Sequence, residues 1–253
     1  MAPARNRKKV VSVSDSDYPG NEAAAPRPLP SPGAGAALWW CPLVAEDEAE
    51  RALANWLSAE ERARAARFGK PILARRYTIG RAALRFVLAA RLDVAPHAVP
   101  IERDHRGRPR LSGTHSIDFN VTHTGDAAMF GLVEARGVRI GVDLERASRN
   151  VNDAGLARRV CTSREREALA RLDEHARRLA FLRLWTCKEA MSKATGDALA
   201  APFRHLDVAR EPDLALVAGP PPYTPREWAL HAVEVPDGFI GTVALWSTDS
   251  VPS

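Results

Sequence analysis

The stretch IGVDLER (residues 140–146) sets Asp143 and Glu145 two apart in apolar surroundings that read as a strand. Alternate residues of an extended chain point to one face, so these two carboxylates stand side by side. Carboxylates that close repel each other and are costly to bury without a partner. A second group lies in FLRLWTCKEAMSKATG (residues 181–196). There Trp185, Glu189 and Lys193 recur every four residues and Lys188 follows Trp185 by three. That spacing predicts one helical side, apolar at its start and charged at its end. Asp143, Glu145 and Glu189 together make an all-oxygen set suited to Mg2+, which takes few carboxylates and completes its shell with water and phosphate. Lysines beside such an ion hold phosphate oxygens as point charges. The plain alternative is an exposed strand face and a surface helix whose Glu–Lys pairs contribute about a few tenths of a kcal/mol each.

A third group, FNVTHTGD (residues 119–126), ends an apolar strand with Asn120, Thr122, His123 and Thr124 before a glycine turn. Hydroxyl and imidazole groups at a strand end suit phosphate or ribose, although a lone histidine there more often serves a structural role. The glycine and proline of RGRPRL (residues 106–111) need no ligand, since turn chemistry explains them.

The elements that must position these groups follow from local pattern. ALWWCPLV (37–44) reads as a strand. A helical pattern over 46–68 is interrupted where Ser58 and Glu61 form a capping box that opens a new helix. Residues 72–92 form a second helix, with Leu84, Val87, Leu88 and Leu92 at helical spacing. Residues 117–124, 127–135 and 138–144 read as strands. Thr162 and Glu165 form another capping box, a long helix covers 177–195, and three strand candidates close the chain (204–210, 227–235 and 239–246). Each half runs strand, helices, strands. The predicted class is α+β, with two similar lobes in one chain, each a small antiparallel sheet packed with helices. Residues 1–36, rich in Ala, Pro, Ser and Gly, are expected to be a disordered leader. The N-terminal lobe is expected over 37–137 and the C-terminal lobe over 138–253.

At 253 residues the chain is long enough for a sizeable core, and 45% apolar with 26% charged residues is ordinary for a soluble protein. A net charge of +5 favours acidic partners without choosing among them. Three well-separated cysteines predict neither a disulfide framework nor a zinc site, and point to a reducing, cytoplasmic compartment. No run approaches the ~18 apolar residues of a membrane span, and there is no signal-peptide pattern. The basic residues are dispersed and the aromatic residues form no stacking platform, so neither membrane nor nucleic acid is an expected partner.

FNVTHTG, GVDLE and FLRLWTCKEAMSKATG, in this order and spacing, resemble the 4′-phosphopantetheinyl transferases of the surfactin-synthetase-activating type. SAEERARAARF, ARRYTIGRAALR and the Gly-Arg-Pro turn extend the likeness over about residues 50–203. The resemblance implies transfer of the phosphopantetheine arm of coenzyme A to a serine of an acidic carrier protein. It also implies release of adenosine 3′,5′-bisphosphate, dependence on Mg2+, and a monomer with its site between the lobes. It assigns Asp143, Glu145 and Glu189 to the metal and Glu189 to the proton of the serine. Lys188 and Lys193 fall to the diphosphate, Arg76 and Arg108 to coenzyme A, and Thr122, His123 and Arg64 to its 3′-phosphate. Three departures stand out. Arg108 replaces the family's lysine, Glu61 stands where some members carry a basic residue, and GDAL (196–199) replaces Gly-x-Gly-Leu, so the loop closing that end is expected to differ. The residues taken alone leave two other classes open, another Mg2+-dependent enzyme of phosphate esters and a basic anion- or nucleic-acid-binding module.

Overall fold

A computed structural model describes residues 18–19, 23–150, 154–210 and 213–248. It begins with strands β1 (Arg27–Leu29) and β2 (Ala36–Pro42), followed by helices α1 (Asp47–Ala54), α2 (Ala59–Ala66) and α3 (Pro71–Leu92). Strands β3 (Ile101–Arg103), β4 (Pro109–Leu111), β5 (Ile117–Thr124), β6 (Ala127–Glu134) and β7 (Val138–Arg146) come next. Helices α4 (Ala154–Val160), α5 (Ser163–Ala170) and α6 (Glu174–Thr195) precede β8 (Asp207–Ala209), β9 (Ala215–Ala218), β10 (Trp228–Val233) and β11 (Phe239–Ser247). The class is α+β, with small antiparallel sheets in the orders β1-β2-β6-β5, β10-β11-β7, β3-β4 and β8-β9. Among the described residues no helix is long and apolar enough to cross a membrane.

The described chain forms two compact units, one holding Cys41–Pro100 and the residues before Arg27, the other Arg27–Trp40 with everything from Ile101. The sequence placed the division near residue 137. Compactness draws it elsewhere because β6 shares a core with β7: Met129 and Val133 pack with Ile140, Val142 and Leu144, together with Leu38 and Trp40. Part of the expected leader is also ordered. Arg27–Leu29 pairs antiparallel with Leu38–Trp40. Tyr18 is 5% exposed and stands edge-on to Trp56 and Phe86. Composition cannot register a three-residue strand whose partner lies outside the segment. Residues 1–17 and 20–22 of the expected leader lie outside the described residues.

Both capping boxes form. Ser58 accepts from the Glu61 N–H at 3.2 Å and Glu61 from the Ser58 N–H at 2.9 Å; Thr162 and Glu165 repeat this at 3.2 and 2.8 Å. Each capping glutamate reaches further. Glu61 Oε2 accepts from Arg85 Nε at 2.7 Å, and Glu165 Oε2 from Lys188 Nζ at 2.6 Å. Each cation is the fifteenth residue of a 22-residue helix, Arg85 in α3 from Pro71 and Lys188 in α6 from Glu174. Each also donates to a backbone carbonyl beyond its helix, Val99 or Phe203, at 3.0 Å. The same device built twice, once per half of the chain, supports the reading of two similar lobes.

The long helix α6 packs on β7 and β11 with Ala190, Ala194 and Ala244 among the buried contacts. The approach is so close that a Cβ on Gly141 would lie 1.9 Å from the Ala190 carbonyl oxygen. Glycine is therefore required at this point of IGVDLER, and its absence of a side chain lets the helix bring its charged end to the carboxylate strand.

Candidate active site

Asp143 and Glu145 lie on one face of β7, as a period of two predicts, and β5 meets them with matching groups. Thr122 Oγ1 donates to Asp143 Oδ1 at 3.1 Å and Thr124 Oγ1 to Glu145 Oε2 at 3.4 Å. Further back along the same strand, Asn120 Oδ1 accepts from the Val142 N–H at 3.1 Å and Asp118 Oδ2 from the Ile140 N–H at 2.8 Å. Side chains at alternate positions of β5 thus satisfy the edge of β7 that β11 leaves free. The polar residues of FNVTHT owe part of their pattern to this support.

From α6, Lys193 Nζ donates to Asp143 Oδ1 at 2.6 Å, to Thr122 Oγ1 at 3.1 Å and to the Val142 carbonyl at 3.3 Å. Asp143 is 5% exposed, and its second oxygen, Oδ2, is buried with no hydrogen-bond partner. Glu189 sits one turn before Lys193. Burial and then the charge of Asp143 hold its carboxyl above the usual glutamate range, against the pull of Lys193 and Arg149. Glu145 is placed differently. Its Oε1 pairs with Arg149, whose guanidinium lies 5.3 Å from the centre of the Trp185 ring, and its Oε2 is taken by Thr124. Arg149 escaped the sequence reading. Its signal was a cation four residues after Glu145, which is a helical spacing on a segment that is not helical.

Among the described residues no group of three or more His, Cys, Asp or Glu side chains converges as a metal cage. The orphaned Oδ2 of Asp143 nevertheless fits a hard cation, because a buried anionic oxygen without a donor needs positive charge. Asp143 keeps one oxygen without a protein partner, whereas both oxygens of Glu145 are engaged, by Arg149 and Thr124.

A family model described as "4'-phosphopantetheinyl transferase superfamily" matches residues 139–244, and one described as "4'-phosphopantetheinyl transferase, N-terminal" matches 40–132. The chain is 34% identical to the 4'-phosphopantetheinyl transferase HetI of Nostoc sp. over 82% of its own length and 86% of the relative's. The chain belongs to the 4′-phosphopantetheinyl transferase superfamily. It is also 28% identical to a 4'-phosphopantetheinyl transferase of Bacillus pumilus, over 57% of this chain and 60% of that one. An L-aminoadipate-semialdehyde dehydrogenase-phosphopantetheinyl transferase of Xenopus laevis is 30% identical, over 62% and 54%.

Against what the transferase resemblance implies, the structure gives Lys188 and Arg108 other partners and engages Thr122 with Asp143 instead of a phosphate. Lys188 is 0% exposed, and its ammonium is saturated by Glu165 Oε2 and the carbonyls of Val160 and Phe203, at 2.6, 2.8 and 3.0 Å. It is a core cation under the second capping box, not a diphosphate ligand. The cause is helical geometry: at 100° per residue, Lys188 points about 140° away from Lys193. Arg108 is 8% exposed with its guanidinium bonded to protein acceptors, rather than presented to coenzyme A. His123 cannot share the orientation of Thr122, because neighbours on a strand face opposite ways. It is exposed, yet partial loss of water and the charge of Lys193 push its pKa down. Arg64 and Arg76 belong to the helical unit. Arg64 is exposed with its guanidinium 5.7 Å from the Tyr77 ring centre. The Nε of Arg76 is buried and unpartnered.

Two predictions follow from these placements. Replacing Lys188 by Met leaves Glu165 as an uncompensated buried charge and should lower stability by about 3–5 kcal/mol in urea unfolding. Lys193→Met strands the buried carboxylate of Asp143 in the same way and should also cost stability, less steeply because the Lys193 side chain is 26% exposed, but it alone should remove activity from the folded protein. Equal loss of transfer activity in the two folded variants would refute the division of roles. At the end of α6, Gly196 takes φ 85° and Ala198 takes φ 49°, so the backbone makes at Ala198 the left-handed demand that the family's second glycine meets. Ala198→Gly should therefore raise stability by up to about 1 kcal/mol, read from the denaturation midpoint.

Proposed function

We propose that this chain is a Mg2+-dependent 4′-phosphopantetheinyl transferase of the surfactin-synthetase-activating type, moving the phosphopantetheine arm of coenzyme A to a carrier-protein serine. The observation that carries the reading is the buried, unpartnered Oδ2 of Asp143, held beside Lys193 and near a glutamate of raised proton affinity. In the reaction, the serine oxygen bonds to the phosphorus bearing the pantetheine. The bond from that phosphorus to the leaving nucleotide breaks, and adenosine 3′,5′-bisphosphate departs. Glu189 takes the serine proton. Lys193 orients Asp143 through Oδ1 and brings positive charge to the site where the leaving phosphate gains negative charge. Asp143 and Glu189 would hold Mg2+, whose charge would neutralise the diphosphate. Thr122 fixes Asp143, and His123 offers a ring N–H to the 3′-phosphate of coenzyme A. The contacts to coenzyme A that the resemblance implies for Arg64 and Arg76 belong to the same proposal.

The acceptor is an acidic carrier protein or domain, steered by the net charge of +5, and the enzyme acts as a cytoplasmic monomer. Neither a nucleic acid nor a membrane belongs to this scheme. Family membership gives no support to the phosphate-ester and nucleic-acid alternatives.

Intact-protein mass spectrometry tests the reading directly. An apo carrier incubated with the enzyme, coenzyme A and Mg2+ should gain one phosphopantetheine arm, and EDTA should prevent the gain. Phosphate release with no carrier modified, across fatty-acid and peptide-synthetase carriers alike, would favour the phosphate-ester alternative instead.

A further inference from the structure

Arg108 stands in a glycine–proline turn where its charge could serve a substrate phosphate, but each of its partners is part of the fold. Nη1 and Nη2 donate to the two oxygens of Asp118 at 2.7 and 2.8 Å. Nη2 also donates to the Ile140 carbonyl at 2.9 Å, and Nε to the Lys193 carbonyl at 3.0 Å. The partners lie on β5, β7 and α6, up to 85 residues away in sequence. Asp118 closes the circuit by accepting from the Ile140 N–H at 2.8 Å, so both backbone groups of residue 140 are held.

We propose that Arg108 is a positioning residue, which locks α6 to β7 and so sets Glu189 and Lys193 against Asp143, rather than a ligand of coenzyme A. The inference rests on the transferase reading for its kinetic consequence, but the lock itself does not. The Lys193 carbonyl is one of the last four of α6, which have no acceptor role within the helix, and Nε of Arg108 caps it. That carbonyl belongs to the residue whose ammonium bonds Asp143, and Glu189 is one turn earlier. The other end of the lock grips Ile140, three residues before Asp143 on the same strand. One planar group therefore holds both sides of the acid cluster within a turn of where they meet. Only a guanidinium can do this, because its fixed fork serves a bidentate carboxylate and still leaves Nε for a third direction, whereas a lysine ammonium is a single point. The family's lysine at this position would leave at least one of the three elements unheld.

The test compares Arg108→Lys, Asp118→Asn and the double variant. Arg108→Lys keeps the charge that a coenzyme A contact would need and loses the fork. Asp118→Asn leaves Arg108 in place and weakens its grip. If Arg108 positions the cluster, each single variant should lower kcat about tenfold with KM for coenzyme A within about twofold of the parent. The double variant should be no worse than the poorer single one, because both act through one lock. Hydrogen exchange of the free protein reads the lock without any substrate, and residues 189–195 should exchange faster in both single variants. The inference is overturned if Arg108→Lys raises KM for coenzyme A at unchanged kcat while Asp118→Asn is silent. It is equally overturned by unchanged exchange in residues 189–195, a result that holds even if the parent protein modifies no carrier. Should Arg108→Lys fail to fold, Asp118→Asn decides by the same two readouts.

Discussion

Asp143→Asn and Glu189→Gln are each expected to lower transfer to a carrier protein by on the order of 10³, with the fold retained. Asparagine keeps an oxygen where Thr122 and Lys193 now donate to Oδ1, so local packing survives. What it loses is the negative charge on Oδ2, the buried oxygen that nothing in the protein satisfies. Glutamine at 189 keeps the shape and loses the proton acceptor. Glu145→Gln provides the contrast. Its two oxygens already serve Arg149 and Thr124, so the change should cost about tenfold or less by loosening the strand end. Rates from carrier mass spectrometry, set beside thermal unfolding of each variant, check all three. Full turnover by either of the first two variants would remove the metal reading, and a Glu145→Gln loss as deep as theirs would return Glu145 to the ligand set.

Local signals in this sequence were read well because their causes are local. Ser58 with Glu61 and Thr162 with Glu165 announced two helix starts through bonds that span three residues. Strand alternation set Asp143 and Glu145 on one face, and the four-residue spacing set Glu189 and Lys193 on another. Even so, α6 starts at Glu174, three residues earlier than apolar periodicity indicated. Asp173 accepts from the Ala176 N–H at 2.9 Å, and that first turn is polar. A cap can extend a helix beyond its apolar stripe.

Long-range partners were not legible. Lys188 and Lys193 both look like phosphate-binding lysines on a helical wheel drawn from Trp185. Which of them meets the carboxylates depends on where Glu165 sits, 23 residues before Lys188. The twin of this pair, Glu61 with Arg85, was equally hidden, and recognising either would have exposed the other as a repeat. The turn around Arg108 and its family position carry no trace of its acceptors, which come from β5, β7 and α6. The sequence thus supplied the reacting groups, and the tertiary structure decided which charges were left over to react.

Gly141→Ala should do more damage than its one methyl group suggests. The new Cβ would lie 1.9 Å from the Ala190 carbonyl oxygen and 2.7 Å from the Ala194 nitrogen. Both are backbone atoms of α6, so no rotamer change relieves the contact and the helix itself must retreat by more than about 1 Å, at a cost of roughly 1–3 kcal/mol. Ala190 and Ala194 each follow a site residue, Glu189 and Lys193, so the retreat displaces the turn that carries the chemistry. A displacement of that size is expected to lower kcat by about 10² as well. Loss of stability and rate together separates this variant from Asp143→Asn, which should lose rate alone. Truncating a neighbour cannot restore room, so Gly141→Ala combined with Ala190→Gly should be no better than the single change. Recovery in the double variant, by urea unfolding and by transfer rate, would mean that α6 is not pinned on β7 at this point. The geometric basis for bringing Glu189 and Lys193 to Asp143 would then be lost.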